Sequence, residues 1–499
     1  MDLLTLLDMV ATGMGDRVLI GGRKDGLTGA QLRDRAAAGG RLLADTGAHT
    51  VAYLGGNGPA FPVALFSAAA ARVPFLPLNY RLSDEQLSEI LHRQEGSVVL
   101  TDSPDRVRRL VPDLPVLTLD EFTGKCASAP ADATPEGAGP EAIALLLMTS
   151  GTTAAPKSAV LRHQHLTSYI LGSVEFASAE ATDATIVSVP PYHIAAVANL
   201  LSNLYSGRRI VYLDHFTAAE WLDTVRTQAI THAMVVPTML ARIVREIEQT
   251  GAVAPPTLRA LSYGGAKVSA NVIADALRLF PDTDFVNAYG LTETSSSVAV
   301  LGPEDHRQAL ASYDPVIKAR LGSVGRALPG VVIGVHDDEG RPCAAGVEGD
   351  IVIQGPQVAG EYLEAGSRLD DHGWFPTRDR GYLDADGYLF IRGRADDTII
   401  RGGENIAPAE IEDVIATHAA VLDCAVAGIP DEEWGHRIGA FVVLKPDHHC
   451  TAEELREFVR ARLRGSKTPD MVTFLDELPT TPTGKVLRRT LVSDLVVHQ

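Results

Sequence analysis

The residues with the clearest chemical potential stand in TSGTTAAPKSAV, Thr149 to Val160. Thr149, Ser150, Thr152 and Thr153 offer hydroxyls, Gly151 a bare backbone and Lys157 a positive charge. Hydroxyls, backbone N–H groups and a cation make up the donor set that cradles phosphate oxygens. The stretch nearly spells G-x-x-x-x-G-K-[ST], but Pro156 stands where the second glycine is required. Proline has no N–H to donate and a fixed φ. That motif also opens a helix at its lysine, whereas SAVL reads as extended. The stretch is therefore either a phosphate loop of another kind or a polar turn without a ligand.

Other candidates lie downstream. NAYGLTETS (Asn287 to Ser295) brings Tyr289, Thr292 and Glu293 together, a capped turn with a carboxylate and a hydroxyl. Gly264-Gly265-Ala266 is a backbone against which a flat ring can lie, or a simple turn. TRDRGYLDADGYLFIRGRADD (Thr377 to Asp397) holds Asp379 and Arg394 on either side of Asp386-Gly387, a hairpin signal. PTTPTGKVLRR supplies Lys485, and VPPYHIAAVANL supplies His193.

These residues need elements to hold them. TVAYLGG (50–56), SVVLTD (97–102), IALLLM (143–148) and THAMVVP (231–237) read as buried strands. Helical patterns lie between them, including DEQLSEILHRQ behind a Ser83/Gln86 capping box. Such alternation predicts an α/β fold with mostly parallel sheets. Residues 125–141, rich in Ala, Pro and Gly, read as a surface connection. From Gly322 the texture turns to short strands. Beyond residue 394 a compact α+β unit follows, with a second capping box at Thr451/Glu454. The predicted division is a large N-terminal domain, 1–394, with a β-rich part at 322–394, and a small C-terminal domain, 395–499.

The chain has 499 residues, ample for two domains, and a formal charge of -19. Such an acidic surface argues against nucleic acid as a partner. The four scattered cysteines read as reduced thiols. The N-terminal stretch lacks the basic start of a signal peptide, and no apolar run is long enough to span a membrane. The expectation is a soluble, cytoplasmic protein, with homo-oligomerisation left open.

Taken in order over about 400 residues, these motifs resemble the adenylate-forming superfamily: acyl- and aryl-CoA ligases, luciferases and peptide-synthetase adenylation domains. The resemblance implies that Thr149 to Thr153 and Lys157 bind ATP phosphates. It further implies that Gly264 to Ala266 and Tyr289 border adenine, and that Thr292 donates to the α-phosphate. Glu293 would help hold Mg²⁺, and Asp379 and Arg394 would bind ribose. By the same resemblance Asp396 is a hinge on which the C-terminal domain turns between two half-reactions. Gly402 and Gly403 would line the pantetheine channel of coenzyme A, Lys485 would act on the α-phosphate and the acid, and His193 would border the acid. The alternative for His193 is a structural histidine.

PPYHIAA has no carboxylate to pair the ammonium of an amino acid, and leaving that cation unpaired would be costly. The resemblance therefore implies a carboxylic acid joined to CoA. Ala195, Ala196, Ala198 and Gly264 to Ala266 suggest a wide apolar pocket and a bulky hydrophobic acid. The chain departs from the resembled pattern at Ala154, Ser158 and Arg378, where glycine is usual. A side chain forced into glycine's backbone region costs roughly 1–3 kcal/mol. The expectations are thus a complete ATP-dependent ligase, a ligase that mainly thioesterifies preformed acyl-AMP, or a non-catalytic nucleotide-binding relative.

Overall fold

The computed structural model describes residues 1–129, 136–149, 157–268, 270–401, 404–431, 434–463, 465–481 and 484–497. Two large sheets dominate. One runs Gly366–Ser367, Glu361–Tyr362, Lys157–Arg162, Ile143–Thr149, Phe75–Pro77, Thr50–Leu54, Ser97–Thr101 and Val116–Thr118. The other has Val18–Ile20, Arg209–Tyr212, Ala184–Val187, His232–Val235, Ala260–Gly264 and Asp284–Leu291 in parallel succession, with antiparallel strands at both edges. All four strands expected from apolar runs are present, with ends within a few residues of those read. Such runs are continuous because both faces of a parallel strand are covered.

One hydrophobic cluster links the sheets. It joins Tyr53, Phe75 and Leu145 to Ile186, Val235 and Leu261 through helices that include Ala60–Ala70 and Ile194–Ser206. Helix Ala60–Ala70 is buried on every face, which its sequence AFPVALFSAAA permits. Both expected capping boxes form, Ser83 with Gln86 and Thr451 with Glu454. Residues 125–141 depart from the reading as a connection only at their start; 136–141 carry no helix or strand, and 130–135 lie outside the described residues. Helix Leu119–Ser128 carries through Lys125 to Ser128, because a third box, Thr118 with Glu121, starts it and Phe122 and Cys126 are buried.

The β-rich stretch builds a sheet of its own from Val332–His336, Gly349–Gln354, Phe375–Leu383 and Leu389–Arg394. Within it, the hairpin Glu361–Tyr362/Gly366–Ser367 leaves to pair with Lys157–Arg162 of the first large sheet. After residue 398 a separate hydrophobic cluster forms around Ile399, Ile411, Val426, Val442 and Leu455. It is built on strands Val421–Asp431, Gly435–Leu444 and Met471–Phe474 with helices Pro408–Ala416 and Ala452–Arg460. No helix of the described residues is long and apolar enough to cross a membrane.

Candidate active site

Two neighbouring parallel strands end at the site. Gly264 closes Ala260–Gly264 opposite Ala288 of Asp284–Leu291. A Cβ on Gly264 would meet the Ala288 carbonyl oxygen at 2.2 Å, so the strands approach closely only because it is glycine. Gly265 follows with φ +88° and open space where a side chain would stand. Crevices at the carboxyl ends of parallel strands are where ligands settle in open α/β sheets.

Tyr289, one strand over, donates its hydroxyl to Asp379 Oδ2 at 2.6 Å. Asp379 is buried in Phe375–Leu383 and lies directly across the ladder from Arg394, whose Nε is 3.7 Å from Asp379 Oδ1. The Asp379 backbone N–H donates to Thr377 Oγ1 at 3.0 Å. Burial raises the Asp379 carboxyl pKa, while Arg394, the Tyr289 hydroxyl and Lys485 pull it down and Glu293 pushes it up. Burial first, and Asp379 second, raise the Tyr289 hydroxyl well above its usual value.

Thr292 and Glu293 lie in the single turn Thr292–Thr294. It ends in Ser295 and Ser296, with φ of 56° and 112°. Non-glycine residues held in such a region are locally strained, and strain of this kind gathers at functional sites. Glu293 is buried and accepts the hydroxyl of Tyr362. Burial and then Glu293 raise the Tyr362 pKa, so this phenol stays a donor.

Lys485 comes from the C-terminal unit. Gly484 before it has φ +78°, and a Cβ there would stand 2.8 Å from Thr238 Oγ1 at the start of helix Pro237–Thr250. Lys485 donates its backbone N–H to Thr481 Oγ1 at 3.0 Å. Desolvation, then the Arg394 guanidinium, depress its ammonium pKa, with Asp397 and Asp379 opposing. The same unit also rests on the larger one through a Lys267–Asp413 ion pair and an Asn271 Nδ2 bond to the Ala416 carbonyl at 2.9 Å.

Thr149 and Lys157 face each other where two antiparallel strands of the first sheet end. The Lys157 ammonium lies 5.9 Å from the centroid of the Tyr362 ring. Ser150, Gly151, Thr152, Thr153 and Ala154, and likewise Gly402 and Gly403, lie outside the described residues. His193 precedes helix Ile194–Ser206. Burial, then the Arg81 guanidinium, lower its pKa to about 4, so the ring is neutral at physiological pH. Its Nε2 and the neighbouring Tyr192 hydroxyl are buried with no hydrogen-bond partner among the described residues. Ala196 belongs to the main hydrophobic cluster and Ala195 packs against it, so these alanines seat their helix.

The two other departures from glycine part company. Ser158 has no unusual φ. It lies within Lys157–Arg162, paired with Met148, and is 1% exposed. Arg378 does occupy glycine's region, with φ 62°, and its guanidinium reaches Asp396 at 3.5 Å. Sequence reasoning missed Tyr362 and Thr377. Tyr362 has no local signal, since its partner Glu293 lies 69 residues away, whereas Thr377 opens the stretch that holds Asp379 and was given no role there.

The arrangement can hold a nucleotide and its metal. An open glycine backbone suits a flat base, and a buried carboxylate flanked by donors suits a diol. Mg²⁺ ordinarily takes one or two carboxylates plus substrate phosphates, which the single buried Glu293 matches. Among the described residues there is no cluster of three or more metal-ligating side chains.

The chain matches the AMP-binding enzyme family over residues 7–363, and the C-terminal domain of AMP-binding enzymes over residues 410–485. It belongs to that family. Its place there is the acyl-CoA synthetase branch of the adenylate-forming enzymes, ligases that work with ATP, Mg²⁺ and CoA. It is 33% identical over 454 residues to a fatty acid–[acyl-carrier-protein] ligase, ScoC, of Streptomyces coeruleorubidus, covering 88% of this chain and 86% of that one. A feruloyl-CoA synthase of an Amycolatopsis species is 32% identical over 442 residues, covering 88% and 87%. Among solved structures, ATP-bound MatB from Rhodopseudomonas palustris superposes with a TM-score of 0.87 at 26% identity over 99% of each chain. The o-succinylbenzoate CoA synthetase of Bacillus subtilis, solved with ATP and magnesium, gives 0.82 at 27%, over 97% of this chain and 98% of that one.

Proposed function

We propose that this chain activates a hydrophobic carboxylic acid with ATP and passes the acyl group to the thiol of CoA. The observation that carries this reading is buried Asp379, met by the Tyr289 hydroxyl at 2.6 Å and by Arg394 at 3.7 Å, with Lys485 and Glu293 near enough to bias its charge. In the first half-reaction a carboxylate oxygen of the acid attacks the α-phosphorus of ATP, and the bond to the β-phosphate oxygen breaks. Acyl-adenylate and pyrophosphate result. In the second, the CoA thiol attacks the acyl carbon, losing its proton, and AMP leaves.

Asp379, its carboxylate already oriented by Tyr289 and Arg394, accepts from the ribose hydroxyls. Tyr289 and Gly264 to Ala266 border the base. Lys485, an ammonium made less stable by desolvation and by Arg394, gains most when negative charge gathers on the acid and the α-phosphate. Thr292 donates to the same phosphate. Thr149 and Lys157 would face the β- and γ-phosphates. Glu293, steadied by Tyr362, would hold Mg²⁺, which when bound neutralises charge on the phosphates. Rotation about Asp396 would then withdraw Lys485 and bring Gly402 and Gly403 to the pantetheine channel, so that one site serves two transition states in turn. The domain division at 394/395 belongs to this reading.

Neutral His193, with Tyr192, borders the acid and cannot serve as a cationic anchor. This supports a hydrophobic acid. Acid-dependent ATP–pyrophosphate exchange, run beside CoA acylation over acids of graded size, tests the proposal. Acetate as the best substrate would overturn the substrate class. Thioester formation only from synthetic acyl-adenylate would establish the second reading. No turnover in either assay would leave a non-catalytic nucleotide binder.

A further inference from the structure

The hairpin Glu361–Tyr362/Gly366–Ser367 touches the site at several points. Glu361 grips Arg162 with both carboxylate oxygens, each 2.9 Å from Nη2. The Leu363 N–H donates to the Ser158 carbonyl at 2.9 Å. Ser158 answers by donating its N–H to Glu364 Oε2 at 2.9 Å and its hydroxyl to Glu364 Oε1 at 2.8 Å. Between these anchors, Tyr362 sends its hydroxyl to Glu293 and presents its ring to the Lys157 ammonium. The Ala359 N–H, just before the hairpin, donates to the Glu293 carbonyl at 2.8 Å.

We propose that Glu364 and Ser158 form a positioning lock for MgATP. Glu364, by holding both donors of Ser158, sets the hairpin in register with the strand that carries Lys157, and the hairpin's Tyr362 in turn sets the Glu293 carboxylate. A glycine at 158 would leave Glu364 only the N–H. The serine that departs from the resembled loop therefore adds a bond where it looked like damage. A charge-assisted pair of bonds from one carboxylate to adjacent donors is also geometrically selective. The lock rests on the adenylate-forming reading, because it needs Glu293 and Lys157 to face a metal-bound triphosphate.

Glu364→Ala, Glu364→Gln and Ser158→Ala test it in the full chain. The readouts are calorimetric MgATP binding, the KM for ATP and the Mg²⁺ half-saturation in pyrophosphate exchange, and CoA acylation from synthetic acyl-adenylate. Glu364→Ala should weaken MgATP binding and raise the KM roughly tenfold, the scale on which outer partners tune a metal-binding carboxylate. Its kcat should stay within about threefold, and acylation from the adenylate, which needs neither metal nor pyrophosphate, within about twofold. Glu364→Gln, similar in shape but uncharged, and Ser158→Ala should show the same pattern more weakly, and the double variant should be no worse than Glu364→Ala. Equal losses in both half-reactions, or MgATP binding unchanged in Glu364→Ala and Glu364→Gln, would overturn the lock. Absence of exchange in the wild-type chain would instead count against the catalytic reading, with calorimetry still deciding the lock.

Discussion

Replacing Arg378 by glycine asks whether a strained backbone next to Asp379, the carboxylate proposed to bind ribose, slows catalysis or only lowers stability. Arg378 holds φ 62°, which costs an L-residue roughly 1–2 kcal/mol. Its ion pair with Asp396 spans 3.5 Å between side chains 58% and 39% exposed, and exposed pairs contribute about 0–1 kcal/mol. Glycine loses about 0.5–1 kcal/mol more conformational entropy on folding. Arg378→Gly should therefore be near neutral. Arg378→Ala keeps the strain and loses the pair, so it should fall below the glycine variant by about 0.5–1 kcal/mol, roughly 1 °C for a chain of this length. Catalysis is a separate matter. Asp379 already meets Tyr289 at 2.6 Å and Arg394 at 3.7 Å with Arg378 in place. The strain is thus incurred once in folding and does not recur at each turnover. Pyrophosphate exchange in Arg378→Gly should stay within about threefold of the wild type, a difference below 1.4 kcal/mol in barrier. A gain of tenfold or more, with acylation from preformed acyl-adenylate unchanged, would refute this reasoning and show that Arg378 obstructs adenylation.

Three further outcomes are expected. Lys485→Ala should lower pyrophosphate exchange by roughly 10²–10³, the usual loss of one preorganised donor, and leave acylation from synthetic acyl-adenylate nearly intact; equal losses in both would remove its assigned role. Tyr289→Phe takes a donor from a buried carboxylate, a bond worth about 1.5–3 kcal/mol, so the KM for ATP should rise about tenfold or more, and an unchanged KM would detach Tyr289 from the nucleotide. His163, His193 and His232 are each lowered to about 4, chiefly by burial, from an ordinary 6.5. Over that interval the unfolded chain binds more protons than the folded one. Stability should therefore fall as pH drops from about 6.5 towards about 4, and denaturation midpoints that stay flat across this window would contradict the buried, neutral assignment.

The site was legible where local rules reach it. Asp386-Gly387 announces a hairpin, and a hairpin brings Asp379 near Arg394 from sequence alone. Their exact opposition was not legible. The ladder pairs Gly381 with Ile391 but Asp379 with Arg394, because a bulge between Arg380 and Gly381 shifts the register by one. Without it Asp379 would face Gly393, and side chains alternate faces along a strand. Gly264-Gly265 was less accessible: the sequence allows either a backbone for a flat ring or a simple turn, and the close of strand Ala260–Gly264 against Ala288 shows only in the fold. Ser158 and Arg378 show where such reasoning stops. Both put a side chain where the resembled pattern has glycine, and residue type alone ranks them as equal defects. Ser158 sits in a regular ladder opposite Met148, and its hydroxyl meets Glu364, 206 residues away. Arg378 sits where Asp379 must turn inward, and there the chain takes a left-handed φ. Whether a substitution damages or builds depends on φ and on a distant partner, and both are properties of the fold rather than of the motif. The chain's departures from glycine therefore do not add up to a single effect on activity. Each acts through its own backbone position, which is why the two half-reactions must be measured separately for each variant.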